Sequence, residues 1–135
     1  MFYVTRREVF SAAHRLFNPK LSDEENERIY GKCSNPNWHG HNYTIEVIVA
    51  GEINSETGYL IDLKQLKEII IKNIIEKVDH KNLNTETDFM SGIIPTAENI
   101  AAAAWKQLVD KIPNGKLYSV KLYETENNYF EYRGD

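Results

Sequence analysis

The sequence predicts an α+β domain, an antiparallel sheet with two helices on one face in the order β-β-α-α-β-β. Two early stretches alternate apolar and polar side chains with the period of a strand. Two later stretches repeat apolar residues at helical spacing behind good N-cap residues. The chain closes on a hairpin pattern.

The first strand is expected over Val4–Leu16, where Phe10, Ala12, His14 and Leu16 share one face. The second is expected over Gly40–Ala50. There His39, His41, Tyr43, Ile45, Val47 and Val49 lie on one face, and Gly40, Asn42, Thr44, Glu46 and Ile48 on the other. The segment between them, NPKLSDEENERIYGKCSNPN, is polar and turn-rich and reads as a long connection, a kind that often carries function. The SETG at 55–58 reads as a turn. A helix follows, with Asp62 as N-cap, Gln65 three residues on, and Leu63, Leu66, Ile70, Ile74 and Val78 on one stripe. Ile69–Ile71 would suit a strand, but the length of the periodic run favours a helix ending near Val78-Asp79-His80. Residues 81–95 are expected to form a loop. Thr96 caps a second helix over Ala97–Val109, stopped by Pro113-Asn114-Gly115. Leu117–Glu124 and Tyr129–Tyr132 form the hairpin.

A chain of 135 residues, 41% of them hydrophobic, fits one domain, 1–135, with a core of its own. No run of about 18 apolar residues offers a membrane span. The start MFYVTRREVF lacks the pattern of a signal peptide. One cysteine makes no intrachain disulfide, which suits a reducing, cytoplasmic setting. A formal net charge of −4 argues against general nucleic-acid binding, though not against an anionic small substrate.

The chemistry concentrates in CSNPNWHGHNY, residues 33–43. On a strand, His39 and His41 point the same way with Cβ atoms roughly 6–7 Å apart. His14, on the preceding strand, is the natural third ligand. Three histidines with one open position describe a catalytic zinc site. H-x-H alone is also compatible with ordinary polar packing, but three of the chain's four histidines fall on faces able to converge. Cys33 follows Gly31-Lys32. It reads either as a small buried hydrophobe or as a thiolate base favoured by the neighbouring lysine. His80 after Asp79 reads either as a histidine at a helix C-terminus or as half of a proton relay. Glu124 is placed by alternation on the face of Tyr118, Val120 and Leu122. It either reaches water at the strand end or accepts two N–H bonds from a flat heterocycle.

Together, FSAAHRL, GKCSNPNWHGHNY, VDHKNL, PTAEN and KLYETENN resemble, in order and over nearly the whole chain, the 6-pyruvoyl-tetrahydropterin synthase and 6-carboxytetrahydropterin synthase family. The spacing from cysteine to HGH is similar to that of the animal-type enzymes. The resemblance implies the tunnelling fold, with subunits joined as trimers whose sheets close a barrel and two trimers stacked as a hexamer. It implies Zn2+ on His14, His39 and His41, Cys33 as the proton-abstracting thiolate, and Asp79 and His80 as its acid/base partners. Glu124 would anchor the pterin ring, and Thr96 would be a second pterin contact.

The implied activity is a lyase reaction, conversion of 7,8-dihydroneopterin triphosphate to 6-pyruvoyl-tetrahydropterin with loss of triphosphate. The alternative within the family is 6-carboxy-5,6,7,8-tetrahydropterin synthesis of the queuosine pathway, releasing acetaldehyde as well. Outside that class stand a non-catalytic pterin-binding oligomer and a zinc hydrolase. Arg15, Lys32 and Lys81 are sequence neighbours of the site able to meet the triphosphate. Two positions depart from the animal pattern, Trp38 before HGH and Pro95 before Thr96.

Overall fold

The computed structural model describes residues 1–135. Strand β1 (Phe2–His14) pairs antiparallel with β2 (His39–Gly51), from Phe2 opposite Gly51 to His14 opposite His39. Between them lies helix α1 (Asp23–Tyr30), followed by a 3-10 turn over Gly31–Ser34. Next come α2 (Leu63–Ile70), a π-helical turn over Ile71–Ile75, and the short α3 (Glu76–Val78). Strand β3 (Lys81–Asn82), a 3-10 turn over Asp88–Met90, and α4 (Ala97–Leu108) lead to β4 (Lys116–Thr125) and β5 (Asn128–Tyr132). The sheet order is β3-β1-β2-β4-β5.

The expected helices and hairpin are present, with three differences. The sheet has five strands and is mixed, because β3 runs parallel to β1 at Ala12 and Ala13. The long connection contains α1, which has no apolar stripe to announce it. Its N-terminus is fixed by a capping box instead: the Ser22 hydroxyl accepts from the Glu25 N–H, and the Glu25 carboxylate reaches back to the Ser22 N–H. Asn26, nearly fully buried, then ties the helix to the carbonyls of Asn18, Leu21 and Ser22. The third difference is the π-helical turn. Asp62 caps α2 through the Lys64 N–H, with no reciprocal bond from Gln65.

One face of the sheet carries the core. Phe10, Ala12, Tyr43, Ile45, Val47, Val49, Val120 and Leu122 meet Leu66, Ile70 and Ile74 from the first helical segment and Ile100, Ala101, Ala104 and Leu108 from α4 in a single cluster. The run of alanines in α4 lets that helix lie close to β4. Burying a leucine- or isoleucine-sized side chain is worth about 1.5–3 kcal/mol. This common core is what holds β1 and β2 in the register on which the site depends.

Two bulges adjust the expected faces of β4. Opposite β2, Ile48 faces Ser119 while Val49 faces Leu117, so Tyr118 is the extra residue. Leu117 takes the core position. Tyr118 packs against the exposed Tyr3, ring centroids 4.8 Å apart, with Arg133 over its ring. Tyr118 therefore does not share the apolar face of Val120 and Leu122 as simple alternation predicts. Opposite β5, Tyr123 faces Tyr129 and Thr125 faces Asn128, which leaves Glu124 as the extra residue.

Candidate active site at the open end of the sheet

The end of the β1–β2 ladder brings His14 and His39 face to face, with His41 two residues further along β2. The imidazole centroids lie 4.5 Å (His14–His39), 5.1 Å (His14–His41) and 5.0 Å (His39–His41) apart. One ring nitrogen from each falls within 4.8 Å of the others. That convergence is what three ligands to one small cation require.

The surroundings fit a metal. His14 is fully buried, and its Nδ1–H donates to the Pro95 carbonyl at 2.8 Å, so Nε2 carries the lone pair. Both ring nitrogens of His39 and Nε2 of His41 are buried without a hydrogen-bond partner. Buried polar atoms rarely lack partners, and a shared cation would satisfy one nitrogen of each ring. Burial, and then repulsion from His39 and His41, push the His14 pKa down to about 4, against the bond to Pro95. Burial likewise lowers His39, with His41 adding to the effect and Glu124 opposing it. These imidazoles are neutral at pH 7, the protonation state a metal needs.

Around the cluster stand three further groups. Glu124 points inward, as its alternation with Val120 and Leu122 predicts, with its carboxylate 3.7 Å from His41 Nε2 and 3.9 Å from His14 Nε2. The Tyr43 hydroxyl lies 3.2 Å from His14 Nδ1 and 3.4 Å from Nε2, and its ring stacks on Phe10. Burial, and after it the nearby Glu124 and Cys33, push the phenol pKa well above its ordinary value. Cys33, a free thiol of intermediate exposure, is held on the 3-10 turn, where its carbonyl accepts from Leu16 N–H.

Asp79 and His80 sit elsewhere, just before β3 on the side of β1 away from β2. Asp79 Oδ1 accepts the Ser11 N–H at 2.9 Å, and His80 N–H donates to the Ser11 carbonyl. The Asp79 carboxylate also lies 3.1 Å from His80 Nδ1. The Ser11 N–H and His80 hold the Asp79 pKa below the usual carboxylate value. His80 has a left-handed backbone (φ 60°) and a side chain 83% exposed. It lines an open depression with Ser11, His41, Asn42 and Lys81. Within one chain, then, the structure gathers His14, His39, His41, Glu124 and Cys33, while the Asp79–His80 pair faces outward. Thr96 is the N-cap of α4, its hydroxyl oxygen accepting from Asn99 N–H at 3.2 Å.

Two site groups lacked a legible chemical role in the sequence. Tyr43 was visible as a member of the histidine face, two residues after His41, but nothing there signalled a contact between its hydroxyl and His14. The Pro95 carbonyl, a backbone group 81 residues from His14, left no signal at all. Of the two departures, Pro95 supplies that carbonyl, and Trp38 takes a left-handed backbone (φ 67°) just before His39 begins β2.

The family profile of 6-pyruvoyl tetrahydropterin synthase matches residues 3–135. The chain is 48% identical over 132 residues to the 6-pyruvoyl tetrahydrobiopterin synthase of Pongo abelii, covering 98% of this chain and 91% of that protein. It is 46% identical over 132 residues to the enzyme of the same name from Dictyostelium discoideum, covering 98% and 96%. The structure of Caenorhabditis elegans 6-pyruvoyl tetrahydropterin synthase superposes with a TM-score of 0.93 at 39% identity, over 99% of this chain and 96% of that one. The fold is therefore the tunnelling fold, and the chain belongs to the 6-pyruvoyl tetrahydropterin synthase family.

Proposed function

We propose that this protein is a zinc-dependent lyase that converts 7,8-dihydroneopterin triphosphate to 6-pyruvoyl-tetrahydropterin and triphosphate. The observation that carries this reading is the cluster of three imidazoles with unpartnered nitrogens, beside a thiol and a carboxylate, in a chain of this family. His14, His39 and His41 would hold the ion. When bound, zinc supplies Lewis acidity at a side-chain hydroxyl and makes the adjacent C–H more acidic.

The protein's own groups account for the rest. Cys33, as thiolate, takes the proton from the carbon beside that hydroxyl. His80, oriented by Asp79, returns a proton as the hydrogens shift within the substrate, so no external redox cofactor is used. Because His80 faces outward from its own chain, it is assigned to the site of a neighbouring subunit. This agrees with a homo-oligomer, a hexamer of two trimers in which the edge of β1 beyond the two-residue β3 pairs with β5 of a neighbour to close a barrel. Loss of triphosphate and tautomerisation then give the diketo side chain. Thr96 remains a candidate pterin contact through its hydroxyl proton.

Glu124, with its carboxylate within 4 Å of nitrogens of His14 and His41, is the candidate anchor of the pterin ring. Among the basic candidates, Lys81 shares a depression with His41 and His80, whereas Arg15 and Lys32 line a separate one.

Incubation of the zinc-loaded protein with 7,8-dihydroneopterin triphosphate tests the proposal. The expected products, by chromatography and mass, are triphosphate and 6-pyruvoyl-tetrahydropterin. Acetaldehyde would identify the 6-carboxytetrahydropterin reaction instead. Intact substrate after prolonged incubation would defeat both.

A further inference from the structure

The Tyr43 hydroxyl is a fully buried polar group inside the site that the reaction sequence above leaves idle. Its hydrogen-bond partners are the two nitrogens of one imidazole, at 3.2 and 3.4 Å. In an imidazole those nitrogens flank Cε1, so an oxygen nearly equidistant from both lies off the lone-pair axis of either. The Nδ1–H of His14 is already directed at the Pro95 carbonyl at the shorter distance of 2.8 Å. The Nε2 lone pair belongs to the cluster of ligand nitrogens. With that lone pair engaged, the phenol O–H has no acceptor in the protein, yet it is held 3.4 Å from a ligand nitrogen. The phenol cannot swing away, because its ring is stacked on Phe10 at 4.9 Å between centroids and packed in the core.

We infer that the Tyr43 hydroxyl donates a hydrogen bond to the substrate oxygen seated on the open side of the three-histidine cluster, which makes Tyr43 a catalytic residue. The inference rests on the function proposed above. When the adjacent C–H bond breaks, its proton goes to the base and its electron pair moves into the neighbouring C=N of the dihydropterin ring, giving an enol. Negative charge grows on that oxygen when the enol then gives up its O–H proton on the way to the ketone. Tyr43 keeps its own proton throughout and binds the oxygen more tightly as the charge develops. A fixed donor aimed at developing charge acts on the transition state more than on the bound substrate. Burial favours this use, since the donor sits out of water and needs no reorganisation.

Tyr43→Phe keeps the ring and its stack and removes only the hydroxyl. The expected result is full zinc content, a thermal transition within a few degrees of wild type, KM within about threefold, and kcat lower by about 10²–10³. A second readout uses no pterin. Acetohydroxamate, a small zinc chelator that presents oxygens at the open position, should bind the zinc-loaded variant about tenfold more weakly by calorimetry.

Unchanged kcat and unchanged acetohydroxamate affinity at full zinc occupancy would overturn the inference. So would a fall in zinc content that accounts for the loss of kcat, because the hydroxyl would then merely support His14. Wild-type protein inactive on dihydroneopterin triphosphate would defeat the proposed function instead, while the acetohydroxamate comparison would still decide the hydroxyl's role.

Discussion

The histidine cluster and the Asp79–His80 pair stand on opposite edges of the same strand end and differ in almost every physical respect. His14 is fully buried, its ring fixed by a carbonyl from the α4 approach and crossed by the Tyr43 phenol. His80 is 83% exposed, fixed by its backbone to Ser11, and paired only with the residue before it. The first arrangement is complete within one chain. The second is a preformed half of something, with its working face turned outward. The difference teaches that metal binding and proton transfer are built to different tolerances. Ligands must converge rigidly on one point, whereas an acid/base pair can be carried in by a second subunit.

The sharpest way to break this comparison is at the cluster. His41→Ala should reduce zinc content, measured by elemental analysis, from near one per chain to near zero, with metal affinity down by well over 100-fold. Full zinc occupancy in that variant would remove His41 from the ligand set.

The next largest effect addresses the outward-facing pair. Cys33→Ala and His80→Ala should each keep zinc and lose about 10²–10⁴ in turnover. If His80 serves a neighbouring chain, refolding the two inactive variants together should restore a substantial fraction of activity, because some sites then receive both intact groups. No recovery in verified mixed oligomers would place both groups in one chain's site.

A third experiment uses pH on the metal-free protein. His14 has its pKa pushed from 6.5 to about 4 on folding, so between those values the unfolded chain binds a proton that the folded one does not. Stability should be complete above about pH 6.5 and fall as pH drops toward 4, by up to about 3 kcal/mol from this residue. Denaturant titrations across that window measure it, and His14→Gln should flatten the slope.

The smallest effect tests how the cluster is held. Thr96→Ala removes the α4 cap next to the Pro95 carbonyl. It should cost about 1 kcal/mol of stability, read by thermal unfolding, with zinc content intact.

Much of the fold was legible because burial imposes periodicity. The alternation around HGH and the stripe from Leu66 to Val78 each report which side of an element meets the core. Helix α1 was legible in principle from Ser22-x-x-Glu25, but without an apolar stripe its signal was a cap alone. The bulges at Tyr118 and Glu124 were not legible. An inserted residue changes the ladder without changing composition, and it moved Tyr118 off the expected face.

By itself the sequence determined that three imidazoles would stand on the inner side of two neighbouring strands, because a strand's period of two leaves a side chain only two directions. It equally determined that a lone thiol would sit close by in the chain. Tertiary structure decided the rest. The pairing of His14 with His39, the carbonyl of Pro95 and the outward turn of His80 are all set by contacts between segments far apart in sequence. Such contacts leave no periodic trace, since each is a single meeting fixed by how the whole core packs.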